Sequence, residues 1–449
     1  MLEGCIEKVV AVAETVRINS LAYGSSGVGR LASGKAVFVD GTVPGDTVEI
    51  ELVSDGASFA RAKVVSVLEH SPDRVTPFCP YAGICGGCPW AQVSYEAQLR
   101  AKRANLVNSL VRIAKLDAEQ AESLVAPCVP SKRQTGYRNK IELAVGRDSA
   151  GRIDLGFHQL ASDKLITPDT CPLAHDAIAK APKALRGAIR VLNSRQDLGI
   201  FRVGVRHSLR TKSLEVALWT TPGPAPRAQI EKVIMDALHP TSIVRVLAEE
   251  GKARKVKKVE VLHGAGSWEE ELAGFRHRVS APSFFQVNTA QAEKLIALVL
   301  EGLELEEGEF VADLYSGVGS FTLPLAAAGC DVVAVESAGS SVRDLRRSAD
   351  KYQLPIEVLG GDSARELPTL GDLDALVVDP PRAGLAKSVP ADIAAAGPRR
   401  VAYVSCDPAT LARDIATFAQ VGYHPTRITP VDLFPQTYHV ECVTLMTKK

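Results

Sequence analysis

The chain contains no apolar run approaching the roughly 18 residues of a membrane-crossing helix, and its first ten residues, MLEGCIEKVV, lack the basic-then-apolar order of a secretory leader. Both absences predict a cytoplasmic protein without a membrane partner. A charge excess is missing as well: 52 Lys+Arg stand against 52 Asp+Glu, so a polyanionic partner has to be met by local patches. Nor is there an even set of cysteines. Nine thiols do not close a disulfide framework, and in a reducing compartment clustered cysteines read as metal-binding or catalytic.

What is present is 449 residues, enough for roughly three domains, and three textures along them. Residues 7 to about 70 carry short β-branched runs (KAVFVD, DTVEIELV, RAKVVSVL) divided by turns such as YGSSGVGR and DGTVPGDT, which predicts a small all-β barrel. From about 135 to 280, strand-like KIELAVG, FRVGVRH and SLEVALWTT mix with an Ala-rich helical segment, HDAIAKAPKALRGAIRVLN, predicting an α+β middle domain. Near its end Lys252, Arg254, Lys255, Lys257 and Lys258 crowd together, either a solvated turn or a phosphate-contacting patch. After about 285, EFVADLYS, DVVAVES, PIEVLGGD, DALVVDPP and RRVAYVSC alternate with helices, the pattern of a doubly wound parallel sheet with ligands at its carboxyl edge. SYEAQLRAKRANLVNSLVRIA, 94 to 114, predicts an amphipathic helix outside these blocks.

The first strand of the last block runs into Asp313-Leu-Tyr-Ser-Gly317-Val-Gly319-Ser320, and Glu336 ends the second strand about 20 positions on. Glycines let the backbone close on a ligand, and the acid can accept from both ribose hydroxyls. A third glycine is absent, with Thr322 in its place, and no pyrophosphate cradle follows. An adenosyl ligand without phosphates, S-adenosyl-L-methionine, fits best. Asp362 is then expected at the adenine and Asp379 near the reacting methyl group. The segment Asp379-Pro380-Pro381-Arg382 raises amine methylation as a rival, weakened because arginine stands where a stacking aromatic is needed.

Cys79, Cys85 and Cys88 form a C-x5-C-x2-C set, and Cys171 offers a fourth ligand. Ligand count alone leaves zinc and an iron-sulfur cluster both open. The remaining candidate thiol is Cys406, in RRVAYVSCDPATLARD, where a strand gives way to a helix. A thiol beside a methyl donor suits pyrimidine chemistry: thiolate addition at C6 makes C5 nucleophilic, and a base must then remove the C5 proton. The helix following Cys406 is expected to favour its thiolate. Glu441 supplies a carboxylate in an otherwise apolar closing strand. Cys5, Cys128, Cys330 and Cys442 read as structural.

FFQVN (284 to 288), DLYSGVGSFTLPLA, VVDPPRAG, VSCDPATLARD and HVE, in this order, closely resemble the RNA uracil-5 methyltransferase family over most of the chain. GVGRLASGKAVFVDGTVPGDTVEIEL looks like a TRAM domain, an RNA-binding barrel. The resemblance implies a class I, Rossmann-like methyltransferase domain in which Cys406 is the nucleophile and Glu441 the general base. It assigns S-adenosylmethionine contacts to Gln286, Tyr315, Glu336 and Asp379, and 4Fe-4S ligation to Cys79, Cys85, Cys88 and Cys171. It further implies that the helix at 94–114 packs with the catalytic domain. The expected division is a barrel at 1–72, a middle domain at 73–93 and 115–280, and a methyltransferase domain at 94–114 and 281–449. The expected partner of this monomer is RNA, with a 23S rRNA uridine as the target and the T-loop uridine of tRNA as alternative. A cytosine-5 methyltransferase is disfavoured by the lack of a Pro-Cys or Thr-Cys nucleophile context, and a non-catalytic RNA-binding protein would leave Cys406 and Glu441 vestigial.

Overall fold

In AVFVD every second side chain turns inward, as do Val16 and Ile18 of ETVRINSL before a bulge, and the strands that carry them close on themselves. The computed structural model describes residues 14–194, 196–249, 251 and 255–448. Cys5, Lys252 and Arg254 lie outside them. Strands β1 (Glu14–Leu21), β2 (Ser26–Arg30), β3 (Ala36–Asp40), β4 (Thr47–Asp55) and β5 (Phe59–Glu69) form a closed barrel in the order β1-β2-β3-β5-β4. Val16, Ile18, Val37, Val39, Val48 and Ile50 fill its interior.

The second body is a seven-stranded sheet, ordered β12-β11-β10-β9-β6-β7-β8. Its strands are β6 (Lys140–Arg147), β7 (Ile153–His158), β8 (Leu165–Ile166), β9 (Ile200–His207), β10 (Leu214–Thr220), β11 (Ser242–Ala248) and β12 (Val256–Gly264). Helices Ala181–Leu192 and Arg227–Leu238 lay Leu185, Ile189, Ile230 and Ile234 on Leu143, Val203 and Leu218 of this sheet. Of the basic stretch, Lys257 is paired with Glu249 and Lys258 with Glu260, which leaves less free charge than the sequence suggests. A hairpin, β13 (Trp268–Leu272) and β14 (Phe275–Val279), leads onward.

The third body is another seven-stranded sheet, ordered β17-β16-β15-β18-β19-β21-β20. β15 (Phe310–Leu314), β16 (Asp331–Glu336), β17 (Ile356–Gly360), β18 (Ala375–Val378) and β19 (Arg400–Ser405) run parallel. β20 (Tyr423–Val431) and β21 (Glu441–Lys448) complete it, with β21 antiparallel to both of its neighbours. Helices cover both faces, which is why ALVV and RVAYVS can be apolar almost throughout. Cys128, Cys330 and Cys442 are buried in these cores.

The helix expected at 94–114 is α-helical over Tyr95–Ser109 and finishes as a π turn, Leu110–Ala114. Leu106, Val107 and Leu110 join the core made by Val401, Tyr403 and Phe418 of the third body. It is not the simple amphipathic helix predicted. Its buried face also carries Gln98, Lys102 and Asn105, and a buried polar side chain needs partners, here supplied by distant residues for Gln98 and Lys102.

Candidate active site

At the carboxyl edge of β15 the backbone turns back sharply, with positive φ at Tyr315 (61°), Gly317 (57°) and Gly319 (87°). At Gly319 a Cβ would lie 2.4 Å from Leu345 Cδ1, so the turn needs glycine there for space as well as for φ. Tyr315 has no such freedom, and a bulky side chain in the left-handed region marks a position held by its surroundings. Glu336 ties the turn down: its carboxylate accepts from the Gly317 amide at 2.9 Å and from the Ala338 amide at 2.6 Å. Asp362 caps the helix Ser363–Glu366 by accepting from the Ala364 amide.

Gln286, Tyr315, Gly317, Ser320 and Asp379 line one small cavity of ≈ 50 Å³ beside this turn. Gln286 is buried, and its Oε1 has no hydrogen-bond partner among the described residues. A buried acceptor facing a cavity is a place for a ligand N–H or ammonium group. Gln286, Tyr315 and Asp379 therefore come together as expected, while Glu336 joins them through the Gly317 amide.

β19 and β21 pair antiparallel as far as Ser405 opposite Cys442, so Cys406, the first residue beyond β19, leaves the sheet next to Glu441, the first residue of β21. The two groups are near enough for the Glu441 charge to act on the Cys406 thiol. Asp379 follows the neighbouring β18. Burial, and then the charge of Asp379, holds the Glu441 carboxyl well above the usual carboxylate range. Asp379 itself is pushed up to about 7 by burial and by Asp313. Two acids that hold their protons tightly are strong bases once ionised.

The expectation that the helix after Cys406 favours a thiolate is not met. Burial, followed by the charges of Glu441, Asp379 and Asp407, pushes the Cys406 thiol up to about 12, against a smaller opposing effect of Arg382. The helix Pro408–Gln420 directs its free amides elsewhere: Asp407 Oδ1 accepts from Ala409 N at 3.0 Å and Thr410 N at 3.1 Å. A carboxylate cap neutralises the helix end that the thiol would have used. Arg382 in turn donates from Nε to Asp407 Oδ2 at 3.3 Å, so the arginine of the Asp-Pro-Pro-Arg segment pairs with the cap of the nucleophile's helix.

Sequence reasoning missed the residues that hold the segment before Glu441. Lys102 Nζ donates to Asp432 Oδ1 at 2.5 Å and to the Phe434 carbonyl at 3.1 Å, and both charged side chains are wholly buried. Gln98 exchanges two bonds with Gln436: its Nε2 donates to Gln436 Oε1 at 3.0 Å, and its Oε1 accepts from Gln436 N at 2.8 Å. Gln436 has φ 73°, a conformation that these bonds hold in place. The only sequence signal is polar residues interrupting the apolar face of the helix.

Cys79, Cys85, Cys88 and Cys171 line a single cavity of ≈ 260 Å³ between the segment before Trp90 and the second sheet. Burial raises the thiols of Cys85, Cys88 and Cys171, and each feels the charge of others in the set. Among the described residues no three His, Cys, Asp or Glu side chains gather closely enough for a single metal ion. The four thiols surround a space instead of converging on a point.

The model of the tRNA (Uracil-5-)-methyltransferase family matches residues 94–353 and 370–449, and that of the TRAM domain matches residues 13–65. An uncharacterised RNA methyltransferase of Gloeobacter violaceus is 36% identical, the match covering 97% of this chain and 96% of the relative. One from Thermotoga maritima is 33% identical, covering 97% and 99%. The crystal structure of the Pyrococcus abyssi tRNA (uracil-54, C5)-methyltransferase with S-adenosyl-L-homocysteine superposes with a TM-score of 0.74 at 26% identity, covering 97% of this chain and 100% of that one. With its TRAM barrel and methyltransferase sheet, the chain belongs to the tRNA (uracil-5-)-methyltransferase family and is an S-adenosylmethionine-dependent RNA (uracil-5-)-methyltransferase.

Proposed function

We propose that Cys406 and Glu441 carry out methylation of C5 of an RNA uridine through a covalent adduct. The observation that supports this is that Cys406, just beyond the end of β19, and Glu441, at the start of β21, come together beside Asp379. S-adenosylmethionine supplies a methyl group on a sulfonium; Gln286, Tyr315, Glu336 and Asp379 are its proposed contacts. The Cys406 thiolate forms a bond to C6, and the electron pair displaced from the C5–C6 double bond resides as an enolate. C5 then takes the methyl group, and the carboxylate of Glu441 removes the C5 proton. That electron pair restores the double bond and expels the Cys406 thiolate. The uridine has to leave its stack for this, since C5 and C6 are covered within one.

Cys79, Cys85, Cys88 and Cys171 are the proposed ligands of a 4Fe-4S cluster. The support is that the four thiols line one cavity and resemble the cluster ligands of the family. Methyl transfer is redox neutral, so the proposed role is structural or RNA-positioning.

The combination of a TRAM barrel with a four-thiol set supports a 23S rRNA uridine as target, whereas the likeness to the Pyrococcus abyssi enzyme favours the T-loop uridine of tRNA. Mapping 5-methyluridine lost from rRNA and from tRNA in a deletion strain, and restoring it with the wild-type chain but not with Cys406→Ala, tests target and nucleophile together. Full turnover by Cys406→Ala refutes the covalent route.

A further inference from the structure

The loop between β1 and β2 of the barrel reaches the catalytic edge of the third sheet. Tyr23 Oη donates to the Cys406 carbonyl at 3.0 Å, across 383 positions of sequence. β19 ends at Ser405, so this carbonyl lies beyond the strand's own ladder, at the joint where strand becomes helix. The Tyr23 ring also packs edge-on to Tyr438, with centroids 5.3 Å apart, and to His439 at 6.5 Å. Tyr438 and His439 sit just before Glu441, and their rings lie 4.2 Å apart. One barrel side chain therefore touches the flanks of both strand ends that present the thiol and the carboxylate.

The loop is itself anchored. Gly24 O accepts from Trp90 Nε1 at 2.9 Å, and Trp90, wholly buried, donates from its backbone to the Gln436 carbonyl at 3.1 Å. Leu21 and Val43 of the barrel share a core with Trp90, Val93 and Ala97, against which Tyr438 packs. Burial, and then Asp407, raises the Tyr23 phenol, so it remains a donor throughout the working pH range.

We propose that Tyr23 is a positioning residue of the active site, by which the RNA-binding barrel holds the Cys406 peptide and the Tyr438–His439 segment in the register that addition to C6 requires. This rests on the reading of Cys406 as nucleophile. Attack on C6 needs thiol and ring closely aligned, and the Tyr23 hydroxyl fastens the carbonyl at the joint that carries the thiol. The barrel is then part of the catalytic architecture as well as a surface for RNA.

Tyr23→Phe keeps the ring against Tyr438 and removes only the hydroxyl, so the fold is expected to persist and a thermal melt confirms it. The assay is single-turnover adduct formation with S-adenosylmethionine and RNA carrying 5-fluorouridine, where fluorine leaves no C5 proton for Glu441 and the methylated adduct stays on the enzyme. At saturating RNA the adduct should form about tenfold more slowly, the effect of losing one well-placed hydrogen bond. The KM for RNA and the affinity for S-adenosylhomocysteine should stay within about twofold. An unchanged adduct rate overturns the proposal. A loss confined to KM also overturns it, because Tyr23 would then be an RNA contact. Cys406→Ala, run alongside, separates the two layers: persistence of its adduct removes the nucleophile assignment, whereas its absence leaves the Tyr23→Phe rate as a measure of the barrel contact alone.

Discussion

Glu441→Gln changes one atom type and almost no volume at a buried position, so its consequences can be worked out from charge and proton chemistry. In the adduct Glu441 is the proposed base for the C5 proton, beside Cys406 at the end of β19. Loss of a general base costs about 10²–10⁴-fold, so turnover should fall by that factor while methyl transfer proceeds. The enzyme should accumulate as a methylated RNA conjugate on Cys406, visible as a slow band on a denaturing gel. A second consequence concerns the thiol. Glu441 is the largest charge acting on Cys406, whose thiol is pushed up to about 12. A neighbouring carboxylate disfavours the thiolate, so removing its charge lowers the thiol's titration. The free Glu441→Gln enzyme should therefore show Cys406 alkylation by iodoacetamide bending over at lower pH than wild type. Release of methylated RNA at the wild-type rate, with no conjugate, refutes the base assignment. An unchanged alkylation profile refutes the effect of the Glu441 charge on the thiol.

Lys102→Met should destabilise the protein by about 3–5 kcal/mol, because it strands Asp432 as a buried charge; chemical denaturation measures it, and a change under about 1 kcal/mol contradicts the buried pair. Cys85→Ser should lower iron and sulfide content together with the thermal midpoint and RNA methylation; unchanged methylation and unfolding refute a structural or RNA-positioning cluster. Asp379 has an ordinary value of 3.8 and is pushed up to about 7, so the stability conferred by its protonated form is complete below about pH 4 and lost as pH rises through 7. Asp379→Asn should accordingly gain thermal stability relative to wild type between about pH 5 and 8, as thermal melts across that range would show. In the wild-type enzyme the cationic S-adenosylmethionine should stabilise more than neutral S-adenosylhomocysteine above about pH 7, with the gap closing on acidification.

Much of the molecule is legible in one dimension because its signals are local. The inward alternation of Val37 and Val39, the unbroken apolar run Ala375–Val378 and the Asp407-Pro408 start of a helix each depend on neighbours within a few positions. The same is true of the glycine turn after β15, where Gly317 and Gly319 have the positive φ that the sequence pattern requires. A thiol where β19 gives way to a helix can likewise be read directly.

What cannot be read is whatever depends on groups far apart in the chain. That β21 inserts between β19 and β20, and so brings Glu441 beside Cys406, follows from strand pairing across the whole last sheet. The direction of the Cys406 shift escapes the sequence for a related reason. A following helix is visible there, but the charges of Glu441 and Asp379 come from other strands, and Asp407 takes the helix amides. Gln98 and Lys102 look like interruptions of an apolar face until Asp432 and Gln436 arrive to bind them, and nothing local points from Tyr23 to Cys406. The sequence by itself thus determined which elements form and which chemical groups are on hand, because backbone conformation and burial period are set by near neighbours. Tertiary structure decided which groups meet and how tightly each holds its proton, because electrostatic interaction and strand pairing act through space.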